Sequence, residues 1–238
     1  MTSLTILDLP LYWEMVNAEK IALFNILKEA NPSIAIEIGT KNGGSLQLLS
    51  ALSEKVYSLD INPAVTDLSS QFSNVQFIIG DSKETLPNLL RDLVVKGEHP
   101  AFILVDGDHS REGVRYDLES ILNLKVTEPL TVLMHDSFNP DCRQGMLDID
   151  YKSNPYVEMV DLDFVQGIYS PSERTRGEMW GGFGLISLKP LPERKSPLVR
   201  QSNAHSYQRT YQVSKHYHYK AGSVPTRIKS YLFRKLFI

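Results

Sequence analysis

The stretch SIAIEIGTKNGGSLQLLS, residues 33–50, decides the fold. It opens with a short apolar run from Ile34 to Ile38 that is interrupted only by Glu37. Such a run is typical of a strand buried on both faces of a parallel sheet. Glycines stand at positions 39, 43 and 44, and leucines then recur at helical spacing. The stretch therefore predicts a strand, a tight glycine turn and a helix whose N-terminal N–H groups a ligand can approach.

The turn itself, GTKNGG at residues 39–44, indicates which ligands it disfavours. A pyrophosphate-binding turn reads G-x-G-x-x-G, and Lys41 stands where the second glycine of that pattern belongs. We therefore do not expect a dinucleotide at this turn. The plain alternative is a strand-to-helix turn that packs well and binds nothing.

Length and composition bound the class of protein. The chain has 238 residues, of which 42% are hydrophobic, so it can bury a full core and is expected to form one domain with appendages. Its one cysteine, Cys142, excludes an internal disulfide and fits a reducing compartment. We expect neither a signal peptide nor a spanning helix, because the N-terminus lacks a basic region and no apolar stretch approaches about 18 residues. These features predict a cytoplasmic protein.

Charge divides the chain into an acidic body and a basic tail. Residues 1–188 hold 14 Lys and Arg against 27 Asp and Glu, whereas residues 189–238 hold 11 against Glu193 alone. The sequence KPLP that begins at Lys189 predicts the end of the folded domain. We therefore predict an N-terminal helical segment that packs on or covers the domain (1–32), a cofactor-binding domain (33–188) and a basic C-terminal tail (189–238).

The basic tail allows several partners. Its stretch HSYQRTYQVSKHYHYK alternates aromatic and cationic residues, and IKSYLFRKLFI is a short basic amphipathic segment with Phe233, Leu236 and Phe237 on its apolar side. We expect the tail to pack on the acidic body or on a neighbouring subunit of a homo-oligomer. The next alternative is peripheral contact with an anionic membrane surface. Stacking on nucleic acid is the least favoured.

Strands and helices alternate along the acidic body. The predicted strands are residues 34–38, 56–59, 75–79, 101–105, 130–134, 156–164 and 180–188, and helices are predicted at 10–30, after the glycine turn, at 82–96 with Ser82 as its N-cap, and at 110–123. This order predicts an α/β fold, a Rossmann-like doubly wound, mostly parallel seven-stranded sheet with helices on both faces. Ligands of such sheets bind outside the carboxyl ends of the strands.

Acidic residues follow several of the predicted strands. Asp60 ends the second strand, 17 residues beyond Gly43, where a carboxylate can accept hydrogen bonds from both ribose hydroxyls. Asp81 follows the third strand. Either residue could instead be a solvated acid or ordinary turn chemistry.

A denser group follows the fourth and fifth strands, in the sequences DGDH from Asp106 and HD from His135. Neighbouring strands lie about 5 Å apart, so these ends can bring carboxylates and imidazoles into one small volume. Carboxylate oxygens with one or two imidazoles suit Mg²⁺, Mn²⁺ or another divalent ion, and without a cation the carboxylates would repel one another.

The pattern Glu37-x-Gly39-x-x-x-Gly43 resembles the first motif of class I S-adenosylmethionine-dependent methyltransferases, apart from the missing middle glycine. The resemblance implies that Glu37 lies near the methionine amine of the cofactor and that Asp81 contacts the adenine amino group. The cofactor contacts implied on this basis are Glu37, Gly39, Thr40, Lys41, Gly43, Ser45, Asp60, Asp81, Ser82 and Asp106.

The sequences VDGDHSREGVRYDLESIL and TVLMHDS resemble the branch of O-methyltransferases that contains the catechol, macrocin-type sugar and cephalosporin-biosynthesis enzymes. The resemblance covers roughly residues 30–140. It implies that Asp106 and Asp136 bind a divalent cation and that His109 is the general base. The family has an acid at the place of His135, which can bind the metal or orient substrate, and Asp108 is a possible substitute ligand.

The sequence thus favours a divalent-metal-assisted O-methyltransferase. Two other functions stay open: an NAD-dependent oxidoreductase, which Lys41 disfavours, and a non-catalytic methyltransferase-like module that binds a partner through its tail. Polar residues in segments expected to border the site suit a small hydroxylated acceptor such as a sugar. These residues are Asn139, Arg143, Tyr169, Arg174, Arg176 and Trp180.

Overall fold

The computed structural model describes residues 9–170, 172–190 and 196–220. The strands are β1 Ile34–Ile38, β2 Lys55–Asp60, β3 Val75–Ile79, β4 Phe102–Val105, β5 Leu130–His135, β6 Val157–Val165, β7 Ile168–Tyr169, β8 Met179–Trp180, β9 Phe183–Leu188 and β10 Leu198–Arg200. The helices are α1 Asn17–Ala30, α2 Leu46–Leu52, α3 Ser82–Lys96, α4 Arg111–Leu122, α5 Pro140–Leu147, α6 Ala204–Val213 and α7 Lys215–Lys220, with a 3-10 helix at Pro63–Gln71.

Eight strands form the main sheet, in the order β3-β2-β1-β4-β5-β9-β6-β10. The pairings are parallel except at β9, which runs antiparallel to both β5 and β6. The chain leaves β1 towards β2 and β3 and then returns to the other side of β1 at β4. The carboxyl ends of β1 and β4 therefore border the crevice at which an open α/β sheet binds its ligand.

Helices cover both faces of the sheet. Alternate side chains of β1 point to opposite faces, so Ile36 packs with leucines of α3 and α4, whereas Ala35 packs with those of α1 and α2. All five residues of β1 are buried, as expected for a central parallel strand. The predicted doubly wound α/β fold is confirmed.

The sheet has eight strands rather than the predicted seven. The additional strand, β10, comes from the predicted tail and pairs in parallel with the edge strand β6. Asp161 of β6 holds this connection, because it accepts hydrogen bonds from Arg200 and from the backbone and side chain of Ser202. The predicted strand 180–188 is also divided, since Gly181 and Gly182, with φ of 72° and 80°, turn the chain between β8 and β9.

The first predicted helix, residues 10–30, begins later than expected. Residues 9–16, here called the N-terminal strap, are not helical, and α1 starts at Asn17. The backbone of Leu11 exchanges two hydrogen bonds with the Gln47 side chain, both of 3.1 Å, which tie the strap to α2. Helix α1 then packs on the sheet through Leu23 and Leu27, which are fully buried.

The described part of the tail packs on the acidic body. Buried Arg143 donates hydrogen bonds to Asp163 at 2.8 Å and to Gln201 at 2.8 Å, and its guanidinium lies 4.0 Å from the ring centre of Tyr207. The amphipathic segment with Phe233, Leu236 and Phe237 lies outside the described residues, so its membrane and subunit contacts stay predictions. Among the described helices, none combines the length and apolarity that crossing a bilayer requires.

Candidate active site

Gly39 places the glycine turn directly against the end of β4. Its φ is 90°, and a Cβ at this position would lie 2.0 Å from the carbonyl oxygen of Asp106. No side chain fits such an approach, so only glycine allows the ends of β1 and β4 to meet here.

The other two glycines of the turn face protein rather than an opening. A Cβ on Gly43 would meet Leu68 at 2.9 Å and Leu11 at 3.1 Å, and one on Gly44 would meet Trp13 at 2.8 Å. Protein atoms therefore fill the space that a side chain at either position would need, and ligand access to the N–H groups of the helix N-terminus stays a prediction. These two glycines let the strap and the 3-10 helix pack on the turn.

Glu37 is fully buried beneath the turn. The hydroxyls of Ser45 and Ser58 donate to its carboxylate at 2.5 and 3.2 Å, and Thr40 bonds the hydroxyl of Ser58 in turn. Burial raises the pKa of Glu37 to about 8, although the hydroxyls partly offset the effect. The carboxyl is therefore mostly neutral at neutral pH.

Asp60 lies beside the turn, as predicted. Its carboxylate accepts hydrogen bonds of 2.9 Å from the backbone N–H groups of Thr40 and Lys41, and one of 2.8 Å from that of Asn62. These bonds fix the acid against the turn. The next residue, Ile61, is 72% exposed and places an apolar surface beside the acid that the sequence pattern does not indicate.

Asp81 and Ser82 lie at the start of α3. Asp81, not Ser82, is the N-cap, because its side chain accepts the Lys83 N–H at 2.9 Å. Behind them, burial raises the pKa of Asp117 in α4 to about 6, and the Ser82 hydroxyl offsets part of the rise.

The ends of β4 and β5 meet in a cluster of charged side chains. His109 Nε2 lies 3.0 Å from Asp136 Oδ2 and 3.4 Å from Asp106 Oδ1. His135 Nδ1 lies 2.9 Å from Asp106 Oδ1 and 3.4 Å from Asp136 Oδ2. Glu19 of α1 reaches His135 Nε2 at 3.5 Å. These five residues, Glu19, Asp106, His109, His135 and Asp136, are called the acid–imidazole cluster.

Asp136 holds an unusual backbone conformation, with φ of 54°. Its Oδ1 accepts the Gly181 N–H, which links the end of β5 to the β8–β9 turn. Burial alone would raise the pKa of Asp136, but the charge of His135 and hydrogen bonds from both imidazoles outweigh it and hold the pKa well below its ordinary value. A non-glycine residue held at positive φ is a form of backbone strain that is common at functional sites.

Both imidazoles are shifted in the opposite direction. Hydrogen bonds to Asp106 and Asp136 raise the pKa of His109 to about 10. Burial would lower the pKa of His135, but the charges of the same two carboxylates outweigh it and raise the pKa well above its ordinary value. The two imidazoles therefore supply the positive charge that balances the carboxylates in this arrangement.

A divalent cation fits one part of the cluster. Asp106, His109 and Asp136 each offer a ligand atom, and these three atoms lie within 4.8 Å of one another. Two carboxylates with one imidazole are ligands that Mn²⁺ accepts and Mg²⁺ tolerates. This group contains His109, the predicted base, in place of His135. Asp108 lies apart from the group, because its carboxylate accepts from the backbone and hydroxyl of Ser110.

Aromatic side chains border the cluster. Trp180 stands edge-on to His109, with ring centres 5.6 Å apart, and donates through Nε1 to Glu178 at 2.9 Å. Phe183 packs on His135 at 5.3 Å. Trp180 thus lies at the site, as predicted from the sequence.

The other residues expected to border the site differ in their positions. The prediction that Arg143 contacts the methyl-acceptor substrate is wrong, because this side chain is 2% exposed and is bound by Asp163 and the tail. Asn139 is also buried, and it caps α5 by accepting the Asp141 N–H. Arg174 and Arg176 are exposed in the loop before β8.

Glu19 is the cluster member that sequence reasoning missed. Interpreting segment 1–32 as a packing or covering element leaves its acids out of consideration. A signal was present, because an acid three residues into a helix commonly bonds the N-cap backbone, and Glu19 bonds the Val16 N–H at 2.7 Å.

Comparison with known proteins agrees with this geometry. Residues 36–137 match a family model described as "Methyltransferase domain". The matched range runs from β1 to the residue after Asp136, so it contains the glycine turn, Asp60 and four of the five cluster residues. A search of curated proteins found no significant match.

Solved structures share the fold at low identity. Cofactor-bound Rv0187 from MTB is 17% identical over 76% of this chain and 84% of its own, with a TM-score of 0.53. An O-methyltransferase from Bacillus cereus, in complex with SAH, is 14% identical over 74% and 82%, with a TM-score of 0.51. An rRNA methylase from Streptococcus thermophilus is 17% identical over 75% and 99%, with a TM-score of 0.47.

The first two likenesses show the fold, and the family match adds the type of domain. The glycine turn against β4, the acid at the end of β2 and the match across residues 36–137 agree with one another. Residues 36–137 thus match a methyltransferase domain, and the findings together support a class I S-adenosylmethionine-dependent methyltransferase.

Proposed function

We propose that this methyltransferase transfers the methyl group to a hydroxyl oxygen of a small polar acceptor such as a sugar, with the assistance of a divalent cation. The observation that carries the proposal is the group Asp106, His109 and Asp136, whose ligand atoms lie within 4.8 Å of one another. The group stands at the carboxyl ends of β4 and β5, next to the crevice between β1 and β4 where an α/β sheet binds its ligand.

The cofactor would lie along the ends of β1 to β4. The carboxylate of Asp60, fixed by two N–H groups of the turn, can accept from the ribose hydroxyls, and exposed Ile61 offers an apolar face to the purine. Asp81, exposed at the start of α3, can accept from the adenine amine. S-adenosylmethionine supplies an electrophilic methyl group, so the protein has only to orient the acceptor oxygen and remove its proton.

Asp106 and Asp136 would hold the cation. Their carboxylates project from neighbouring strands, and hydrogen bonding to the Gly181 N–H fixes the orientation of Asp136. A bound divalent cation orients a hydroxyl and stabilises the developing alkoxide.

His109 is proposed to accept the proton of the acceptor hydroxyl once a cation is bound, because Asp106 and Asp136, which raise the pKa of His109 to about 10, would then neutralise the cation instead. It is the more exposed of the two imidazoles, with 44% of its side chain accessible against 12% for His135, and it faces Trp180. The geometry also supports a second role as a third cation ligand, because Nε2 belongs to the same group of donor atoms. The two roles differ in what they predict for cation binding.

The acceptor would enter beside Trp180. This ring can pack on the apolar face of a sugar, while the neighbouring Glu178 carboxylate accepts from hydroxyls. Exposed Arg174 and Arg176 lie earlier in the same loop.

A single set of measurements tests the proposal. Purified protein is titrated calorimetrically with S-adenosylmethionine, then incubated with radiolabelled cofactor and matched panels of sugar hydroxyls and amines, with Mn²⁺, with Mg²⁺ or with EDTA. We expect cofactor binding in all three conditions and hydroxyl methylation only with a cation. Transfer that is unaffected by EDTA would contradict cation assistance, and transfer to amines alone would contradict O-methylation.

The two roles of His109 are separated with H109Q. If His109 is the general base, its replacement should leave Mn²⁺ affinity unchanged and lower only turnover. As a third ligand, its replacement weakens Mn²⁺ binding as well.

Absence of nicotinamide absorbance changes in parallel assays would count against the oxidoreductase alternative, and any methyl transfer excludes a purely non-catalytic module.

A further inference from the structure

Glu19 is a buried carboxylate that reaches the candidate site from outside the matched domain. It lies in the first turn of α1, is 2% exposed and belongs to the segment that precedes residue 36, where the family match begins. Burying a carboxylate costs free energy unless hydrogen bonds or opposite charge compensate. Its partners therefore indicate what it does.

One oxygen of Glu19 serves the site rather than the helix. Oε1 accepts the Gly182 N–H and lies 3.5 Å from His135 Nε2. His135 Nδ1 in turn faces Asp106 and Asp136 at 2.9 and 3.4 Å. The imidazole therefore lies between a carboxylate from α1, which its Nε2 faces without a hydrogen bond, and the two proposed cation ligands.

The same oxygen packs into the β8–β9 turn. A Cβ on Gly181 would lie 2.4 Å from Glu19 Oε1, so the turn closes on the carboxylate without space for a side chain. The N–H of Gly181 bonds Asp136 Oδ1, while the next N–H, of Gly182, bonds Glu19. Two successive amides thus connect Glu19 to Asp136 through the turn.

The other oxygen has an ordinary structural task. Oε2 accepts the Val16 N–H at 2.7 Å and caps α1. Capping explains one oxygen of Glu19 but not the contacts of the other with His135 and the glycine turn.

We propose that Glu19 is a positioning residue of the methyltransferase site: it fixes His135 and the Gly181–Gly182 turn against Asp106 and Asp136, so that α1 completes the cation-binding group. The inference rests on the proposed function insofar as a cation occupies that group. Residues that orient metal ligands in this manner change metal affinity about 10- to 100-fold when replaced.

The test compares E19Q with E84Q. Glutamine at 19 keeps an oxygen that can cap α1 but removes the charge and one acceptor. Glu84 is an exposed acid in the first turn of α3 and gives the matched control. Mn²⁺ affinity is measured by electron paramagnetic resonance, cofactor affinity by calorimetry, and the Gly181 and Gly182 amide signals by ¹H–¹⁵N NMR without cation.

We expect E19Q to weaken Mn²⁺ binding about tenfold or more and to shift both glycine amides, with cofactor affinity within about twofold. E84Q should change none of these. Unchanged amides and unchanged Mn²⁺ affinity in E19Q would overturn the proposal and leave Glu19 as a helix cap only.

Two further outcomes stay decisive. If the wild-type protein binds no Mn²⁺, the cation part of the proposed function fails, and the glycine amides alone decide whether Glu19 positions the turn. If E19Q does not fold, E19D replaces it, because aspartate keeps the charge but shortens the reach. E19D with wild-type amide signals and Mn²⁺ affinity would then overturn the proposal.

Discussion

Two rims of the same sheet each bury an acid, but one acid is held neutral and the other is held ionised. At the β1–β2 rim, Glu37 is surrounded by hydroxyls, and burial raises its pKa to about 8. At the β4–β5 rim, Asp136 is nearly as buried, but imidazoles hold its pKa well below the ordinary value. The partners of a carboxyl, rather than its burial alone, therefore decide its charge.

The difference matches a division of labour in the proposed reaction. At the β1–β2 rim, the neutral Glu37 carboxyl is held by the Ser45 and Ser58 hydroxyls beneath the glycine turn without a buried charge. An ionised rim offers the oxygen ligands that a divalent cation needs. Replacing Asp136 should therefore change turnover, whereas replacing Glu37 should change the pH dependence of stability.

The largest effect is expected for D136N. Asparagine tolerates the positive φ of this position, so the backbone is preserved while the charge is lost. We expect turnover to fall roughly 10²–10³-fold, as when a group that stabilises a developing charge is removed. Cofactor affinity should stay within about twofold, because Asp136 lies on the other rim.

Methyl transfer and calorimetry on D136N are compared with D92N, an exposed aspartate of α3. Equal loss of turnover and of cofactor binding in D136N would show that the two rims are one site. A D92N protein that behaves like D136N would indicate an effect of charge in general.

Gly39→Ala should have the next largest effect, because this residue joins the rims. Its φ is 90°, and the carbonyl oxygen of Asp106 would lie 2.0 Å from an added Cβ, so there is no room for a methyl group. Strain and overpacking together should lower the free energy of unfolding by about 3 kcal/mol.

Gly97→Ala is the matched control for that change. Gly97 also has positive φ, 70°, but nothing lies within 4 Å of a Cβ there. Urea unfolding should therefore show a cost of about 1 kcal/mol, which is that of φ alone. Equal costs for the two variants would contradict a close contact between the rims.

Much of the fold was readable from the sequence because the central strands are continuous apolar runs. Periodicity identified β1 to β5 and α3, and strand ends identified Asp60, Asp106 and Asp136. β10 could not be identified in this way, because it has three exposed residues and depends on side-chain bonds from Asp161. Such long-range bonds have no local pattern.

The site was harder to predict where contacts cross between distant segments. Glu19 and Gly182 are 163 positions apart, and no spacing rule joins them. The ordinary pKa of a histidine is near 6.5, whereas contacts with two carboxylates raise that of His109 to about 10. The sequence indicated which groups meet but not how strongly they affect one another.

A third, smaller effect concerns pH. Because the folded pKa of Glu37, about 8, exceeds its unfolded value near 4.5, the folded state retains this proton as pH rises through that window. The neutral form is the one that the fold favours, so stability is lost with rising pH. Between about pH 5.5 and 7, wild type should lose about 2 kcal/mol more than E37Q.

Unfolding of both proteins at the two pH values measures the difference and cancels the contributions of other groups, such as Asp117 and the imidazoles. A parallel pH dependence in wild type and E37Q would mean that Glu37 is ionised. The contrast between the two rims would then fail.

The smallest effect is expected for K41G, which creates the G-x-G-x-x-G pattern of a pyrophosphate-binding turn at residues 39–44. Lys41 pairs with Glu14, but both side chains are more than half exposed, so the pair contributes little. Its φ of 50° suits glycine, and we expect the free energy of unfolding to change by less than about 1 kcal/mol.

Asp60 and the ends of β1 and β4 are unaffected, so S-adenosylmethionine should bind within about twofold of wild type. Calorimetric titration with NAD should show no binding, because the strap and Leu68 still fill the space above Gly43 and Gly44. Binding of NAD by K41G would show that one side chain, rather than the shape of the rim, selects the cofactor.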